Sequence, residues 1–311
     1  MNDTLPRMEP LHHVDTTQLK VWYHETGPAG GRPVILLHGF PYDIHSYVEV
    51  APILAAAGYR VIVPYLRGHG PTRFLTAETP RSGQQAALGK DVIELMDAIG
   101  IRRAILAGYD WGGRAACVAA ALWPDRVDGI VSVNGYLIQD IAASTAPLQP
   151  EQEAGFWYFF YFLTDRGRRG LTEHRRSVAA VIWRRNSPDW TFDDAMLDRA
   201  AASFDNPDYV DVVLHSYRHR LGHVAGAPHL AGLEARLATL PAISVPAVTL
   251  DGLADGNFPA TDAAAGSAHF TGTRVHRQVP HAGHNLPQES PVAFTDAIAT
   301  VATLADARRR P

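Results

Sequence analysis

Ala107-Gly108-Tyr109-Asp110-Trp111-Gly112-Gly113 decides how this chain is read. An apolar segment, Arg103 to Ala107, runs into it, and an alanine-rich segment, Arg114 to Leu122, runs out of it. The first has the composition of a buried strand and the second suits a helix. A strand that becomes a helix within so few residues holds its central residue at unfavourable dihedrals. A Cβ on a close neighbour would then strike the strand or the helix. Glycines are expected on both sides, and Gly108, Gly112 and Gly113 supply them. The central side chain is presented at the carboxyl end of the sheet, on a helix N-terminus, where backbone N–H groups favour negative charge. That is the setting of a nucleophile elbow with Asp110 at its tip. Taken alone, the same residues also suit a glycine-rich turn with an N-cap aspartate.

The flanking chain alternates strands and helices. Leu19 to His24 reads as an early strand, and Pro33 to Leu37 as a strand buried on both faces that stops at His38-Gly39-Phe40-Pro41. Val48 to Ala57 is a short helix closed by Gly58, and Arg60 to Pro64 is a third strand. Leu88, Val92, Leu95, Met96 and Ile99 share one helical face ahead of Gly100. Gly129 to Val133 is another buried strand. Residues 151 to 220 hold no convincing strand but many helical patterns and aromatics. Strands return at Pro246 to Leu250 and Arg274 to Val279, followed by a helix from Pro291 to Leu304 and a frayed tail from Ala305 to Pro311. The order predicts an α/β fold with a mostly parallel central sheet flanked by helices. The interruption predicts an inserted helical cap, with residues 1–135 and 229–311 forming the core and 136–228 the cap.

Composition excludes several classes. With 311 residues, 46% hydrophobic and 19% charged, the chain can bury a large core. A net charge of −4 leaves no footprint for nucleic acid. No apolar run reaches the roughly 18 residues of a membrane span, and Met1 to Pro6 lack a signal-sequence core. The single cysteine, Cys117, points to a reducing, cytoplasmic setting.

An activated nucleophile needs a base and an orienting acid. The loop after the next-to-last strand carries Asp251 and Asp255, and the loop after the last carries His281 and His284. The order Asp110, Asp255, His284 resembles the nucleophile, acid, histidine order of the α/β-hydrolase superfamily. Across nearly the whole chain, the motifs are similar to the branch with an aspartate nucleophile, which holds epoxide hydrolases and haloalkane dehalogenases. The resemblance selects Asp255, placed four residues before Pro259, with Asp251 as the alternative. It selects His284, which follows Gly283, over His281. His38-Gly39-Phe40-Pro41 resembles the family's oxyanion loop, which implies N–H donors at Phe40 and Trp111 and a cis peptide before Pro41. The resemblance implies no cofactor and no metal. Its partner is a small apolar substrate molecule, and a homodimer is compatible with it.

A carboxylate attacking an sp³ carbon gives an alkyl ester, which water activated by the histidine can hydrolyse. The expected reactions are therefore epoxide opening or halide displacement. Epoxide hydrolases of this branch place two cap tyrosines over the nucleophile. Tyr158-Phe159-Phe160-Tyr161-Phe162 resembles the first of those motifs, and His215-Ser216-Tyr217-Arg218 the second. They imply Tyr158, with Tyr161 as runner-up, and Tyr217. Haloalkane dehalogenases share a tryptophan at Trp111, but many carry asparagine where Phe40 stands, and others use a cap tryptophan, a place Trp157 or Trp183 could fill. Phe40, Trp111, Trp157, Tyr161 and Trp183 are the expected substrate contacts. Fluoroacetate dehalogenases are similar at Gly112-Gly113-Arg114 but differ at Trp111 and at Phe159 or Phe160, which weighs against a small carboxylate substrate. The closest resemblance is to epoxide hydrolases. A dehalogenase is the alternative, and a non-catalytic binder on the same scaffold comes third.

Overall fold

The computed structural model describes residues 7–309. The reading of Met1 to Pro6 and the last two residues of the tail, Arg310 and Pro311, lie outside the described residues. Nine strands form one sheet: β1 (Leu11–Asp15), β2 (Leu19–Thr26), β3 (Arg32–Leu37), β4 (Tyr59–Pro64), β5 (Arg73–Phe74), β6 (Ala104–Gly108), β7 (Val127–Val133), β8 (Ala247–Gly252) and β9 (Arg274–Val279). The spatial order is β1-β2-β4-β3-β6-β7-β8-β9, with β5 paired to β2. β1, β2 and β4 run antiparallel, and every pairing from β4 through β3 to β9 is parallel.

Helices cover the sheet, and this explains the continuous apolar strands. α1 (Val50–Ala56), α2 (Gln85–Ala98) and α3 (Asp110–Leu122) lie in the first half of the chain. Between β7 and β8 come α4 (Pro150–Gly155), α5 (Trp157–Leu163), α6 (Asp165–Glu173), α7 (Arg175–Asn186), α8 (Asp194–Ala201), α9 (Tyr209–Arg220) and α10 (Ala231–Leu237). α11 (Leu286–Glu289) and α12 (Pro291–Arg309) close the chain. The tail expected to fray from Ala305 is instead the end of α12. Arg309 holds it there by pairing with the buried Asp128, which Arg103 also engages at 2.6 Å. Strand β1 has no counterpart in the sequence reading. Its Leu-His-His-Val-Asp pattern is mostly exposed and lacks apolar alternation. Among the described residues, no helix is long and apolar enough to cross a membrane.

The core converges on the junction of β3, β6 and α3. β3 pairs in parallel with β4 on one side and β6 on the other, so the loops after β3 and β6 meet at the carboxyl ends of the strands. Contact there is backbone to backbone. A Cβ on Gly112 would lie 1.9 Å from the Leu37 carbonyl oxygen, and one on Gly108 would lie 2.6 Å from the Gly112 carbonyl carbon. The elbow glycines thus let helix α3 press directly onto strand β3. Gly112→Ala should cost about 3 kcal/mol or more, because the obstacle is backbone that cannot swing aside. Gly30→Ala, in open space on the surface, should change stability by no more than about 0.5 kcal/mol. Urea unfolding of the two variants checks the contrast, and equal stabilities would contradict this packing argument.

Candidate active site

Asp110 sits at the turn between β6 and α3 with φ +51, a strained value for a residue with a side chain. The strain swings its carboxylate towards the β3 loop. The Phe40 N–H donates to Oδ1 at 2.8 Å, and the Trp111 N–H also favours the carboxylate. The Phe40–Pro41 peptide is cis. Gly39 admits this approach, since a Cβ there would lie 2.7 Å from the Asp110 Cβ. Burial alone would raise the Asp110 pKa, but His284 and the two N–H groups outweigh it and hold the carboxyl below its ordinary value.

On the other side of Asp110, Oδ2 lies 3.6 Å from His284 Nε2, beyond a tight hydrogen bond. His284 Nδ1 lies 2.9 Å from Asp255 Oδ2, and the imidazole stacks on Phe258 with ring centroids 5.4 Å apart. The remaining Asp255 oxygen accepts the N–H groups of Asn257 and Phe258 at 2.9 Å each, so its own turn fixes the carboxylate. Asn134, at φ +64 after β7, donates to Asp255 Oδ2 at 3.3 Å. Asp251 faces elsewhere, accepting from the Thr261 N–H at 2.7 Å and hydroxyl at 2.6 Å. His281 is an exposed turn residue at φ +61. Burial would lower the His284 pKa, yet Asp255 and Asp110 on its two sides hold it up at about 10.

What supports these two loops is not legible along the chain. The end of α7 is wedged between them. The Asn186 carbonyl accepts N–H groups from Gly256 at 3.0 Å and His284 at 3.3 Å, and its side-chain oxygen accepts from Asn257. The Ser187 hydroxyl accepts the His284 N–H at 3.0 Å and donates to Glu289 at 2.6 Å. Glu289 in turn accepts the Gly283 N–H at 2.7 Å. Read along the chain, Asn186-Ser187-Pro188 is an ordinary helix end, and only the fold brings it to the histidine.

Aromatic side chains roof the aspartate. Tyr217 is fully buried, 5.3 Å from the Phe40 ring and 6.0 Å from Trp111 between centroids. Tyr158 meets it edge-on at 5.5 Å. Burial raises both phenols above their ordinary pKa, helped by Asp110 for Tyr158 and by Tyr158 and Asp110 for Tyr217. The buried hydroxyl of Tyr217 and indole N–H of Trp111 make no hydrogen bond of full geometry, although the indole and the two phenols lie close enough for Trp111 to act on Tyr217 and Tyr217 on Tyr158. The other expected contacts stand elsewhere. Trp183 stacks on Tyr42 and spends its indole N–H on the Pro41 carbonyl at 2.8 Å. Tyr161 aims its hydroxyl at Gly170 of α6, where a Cβ would lie 1.9 Å away, and Trp157 packs against Tyr158 and Tyr161. Of the expected substrate contacts and tyrosines, Trp111 and Tyr158 line the small chamber at Asp110, whereas Phe40, Tyr217, Trp157, Tyr161 and Trp183 do not. The reading missed Phe156, Phe159, Phe258, Arg114 and Arg220, which do line it. Among the described residues, no group of three or more His, Cys, Asp or Glu side chains is placed to hold a metal ion.

Comparison with known proteins sets this geometry in a family. Residues 32–287 match the alpha/beta hydrolase fold. Epoxide hydrolase A of Mycobacterium tuberculosis is 27% identical, covering 92% of this chain and 94% of its own length. A haloalkane dehalogenase of Mycobacterium marinum is 35% identical over a shorter stretch, 40% of this chain and 41% of its own. A crystal structure described as a "putative epoxide hydrolase" from Klebsiella pneumoniae superposes with a TM-score of 0.92 at 49% identity, covering 94% of this chain and 97% of that one. A parallel sheet ending in an aspartate elbow, matched over most of its length, makes this chain a member of the alpha/beta hydrolase fold family.

Proposed function

We propose that this hydrolase opens an epoxide to a diol through a covalent ester on Asp110. The observation that carries the reading is the division of labour between the two Asp110 oxygens. Oδ1 is occupied by the Phe40 N–H, whereas Oδ2 lies on the side of His284, and Asp110 borders the chamber. Oδ2 attacks an epoxide carbon, the C–O bond breaks, and the alkoxide takes a proton from a tyrosine hydroxyl. Tyr217 and Tyr158 are the donors, since burial keeps both phenols protonated at neutral pH. Water then attacks the ester carbonyl carbon while His284 takes its proton. The N–H groups of Phe40 and Trp111 receive the charge that develops on Oδ1; collapse expels the diol oxygen, which takes the proton from His284, and the acid proton of the regenerated Asp110 returns to the tyrosine. Asp255 holds the histidine in the required tautomer. The helices of residues 136–228 act as the cap, with 1–135 and 229–311 as the core.

The alternative, halide displacement, uses the same three residues and would rely on the Trp111 indole N–H. It lacks a second donor of the usual kind. Trp183 has committed its N–H to Pro41, and Phe40 offers none from its side chain. Two phenols above the aspartate favour the epoxide, whose leaving oxygen needs a proton.

His284→Gln should be alkylated once and then stall. Intact-mass analysis after mixing with an epoxide should show protein plus one substrate mass, localised to Asp110 by peptide mapping. Unmodified protein that still turns over would refute the assignment.

Tyr217→Phe should slow alkylation by epoxides about 10²–10³-fold, the usual loss for one preorganised donor. A panel of aryl and alkyl epoxides run beside 1-haloalkanes makes the measurement. Halide release without any diol would transfer the protein to the dehalogenase reading.

Esterification removes the charge of Asp110, one of the two anions that hold the proton on His284. The imidazole pKa therefore falls in the ester intermediate, which frees it to act as a base. Dealkylation, followed by stopped-flow tryptophan fluorescence, should rise with pH and reach its midpoint below the free enzyme's value of about 10. A midpoint at or above that value would contradict the coupling.

A further inference from the structure

Asn134 follows β7 in the left-handed conformation, φ +64, and borders the chamber together with Asp110 and His284. Asparagine tolerates that conformation better than most residues. The two ends of its amide have different duties. A carboxylate only accepts hydrogen bonds, so the end turned to Asp255 Oδ2 at 3.3 Å is the nitrogen. The same Asp255 oxygen holds His284 Nδ1 at 2.9 Å, so one atom sets the position of both side chains. The other end of the amide, Oδ1, is buried and has no hydrogen-bond partner among the described residues. A buried acceptor without a donor costs free energy, and a structure seldom keeps one that nothing uses.

The chamber measures about 10 Å³, the room that a single water needs. The side chains around it differ in what they can offer a water. Leu137, Phe156, Phe159 and Phe258 offer neither donor nor acceptor. Trp111, Arg114 and Arg220 only donate. Partial burial, with Arg220 nearby, lowers the Arg114 pKa to about 9, which leaves it protonated at neutral pH. The Tyr158 hydroxyl is engaged with Tyr217. In an ester on Asp110, Oδ1 keeps the N–H groups of Phe40 and Trp111, and the other oxygen carries the alkyl group. Beside the base, His284, the side-chain acceptor that remains is Asn134 Oδ1.

We propose that Asn134 Oδ1 binds the water that hydrolyses the ester on Asp110. This rests on the ester reading above and deepens it. The water gives one proton to His284 Nε2 while its oxygen bonds to the ester carbonyl carbon. The second proton stays on that oxygen, directed at Asn134 Oδ1, and becomes the acid proton of the regenerated Asp110. Held through both protons, the water turns a lone pair to the carbonyl carbon and is oriented before it attacks. Opening of the epoxide uses no water, so Asn134 has no part in that half of the reaction.

Asn134→Gly removes the amide and suits the positive φ. Rapid-quench intact-mass analysis, with the fastest member of the aryl and alkyl epoxide panel, reads the two halves of the reaction apart. Alkylation of Asp110 should keep its rate, while hydrolysis of the ester slows about 10²-fold, the scale of a misplaced reactant, and the ester accumulates. Unchanged hydrolysis would overturn the proposal. The pH profile separates this role from a merely structural one. If Asn134 acted only by steadying Asp255, losing a hydrogen bond to that carboxylate would displace the midpoint of ester hydrolysis by about one pH unit. A lost water contact lowers the plateau and leaves the midpoint in place, so a displaced midpoint sinks the water site. Thermal unfolding shows whether the variant is folded, and a crystal structure of the unaltered enzyme decides the site if it is not. An ordered water within hydrogen-bond distance of both Asn134 Oδ1 and His284 Nε2 is expected there. Its absence, where neighbouring waters are ordered, overturns the proposal. That water in place with no alkylation by any epoxide sinks the epoxide reading while the water site survives. Alkylation without the water does the reverse.

Discussion

Everything at the site depends on how closely helix α3 can approach strand β3. The Leu37 carbonyl occupies the space where a Cβ of residue 112 would be, so the helix start is fixed against the strand to within a fraction of an ångström. That contact forces Asp110 to φ +51 and aims its carboxylate at the Phe40 N–H. A looser junction would relieve the strain, and the carboxylate would then miss its donor. Strain of this kind persists only where the surroundings over-determine it. Here β6 and β7, buried throughout, and the buried Val34 to Leu37 of β3 do so.

Around that fixed point the charges form a line: Asp110, His284 and Asp255. One cation between two anions leaves the buried group with a net negative charge at neutral pH. The N–H groups of Phe40, Asn257 and Phe258 disperse it. Charge-assisted hydrogen bonds of this kind let carboxylates remain ionised away from water. Arg114 is close enough to Asp110 for the carboxylate to oppose the fall in its pKa. The second cation, Arg220, then depresses the first, so the wall of the chamber and its floor carry opposite charge.

The elbow, the strand sequence and the interrupting helices could be read along the chain because each rests on local chemistry: glycine sterics, apolar runs and helical spacing. The family resemblance, not spacing alone, separated Asp255 from Asp251, and the structure brings the Asp255 carboxylate, not that of Asp251, to His284. Strand β1 could not be read, because an edge strand with two histidines lacks the alternation that burial imposes. The end of α12 could not either, since its last turn is tied down by Arg309 on Asp128, a pair 181 residues apart. The aromatics of α5 show the same limit. Tyr158 and Tyr161 are three residues apart, yet Tyr158 roofs the aspartate and Tyr161 packs on Gly170. Which face of a short helix with six aromatics in a row turns inward depends on what packs against it, and its own sequence is silent on that.

The end of α7 constrains how the enzyme can breathe. Asn186 and Ser187 are laced into both the Asp255 loop and the His284 loop, and Trp183 of the same helix is pinned to Pro41. If α7 lifted away, the acid, the histidine and the Phe40 donor would lose their alignment together. On that side α7 is a fixed post and not a door. On the opposite flank, α4, α5 and the end of α9 border a cavity of about 870 Å³. Phe258 ties that flank to the charge line, since it borders the cavity, stacks on His284 and donates its N–H to Asp255.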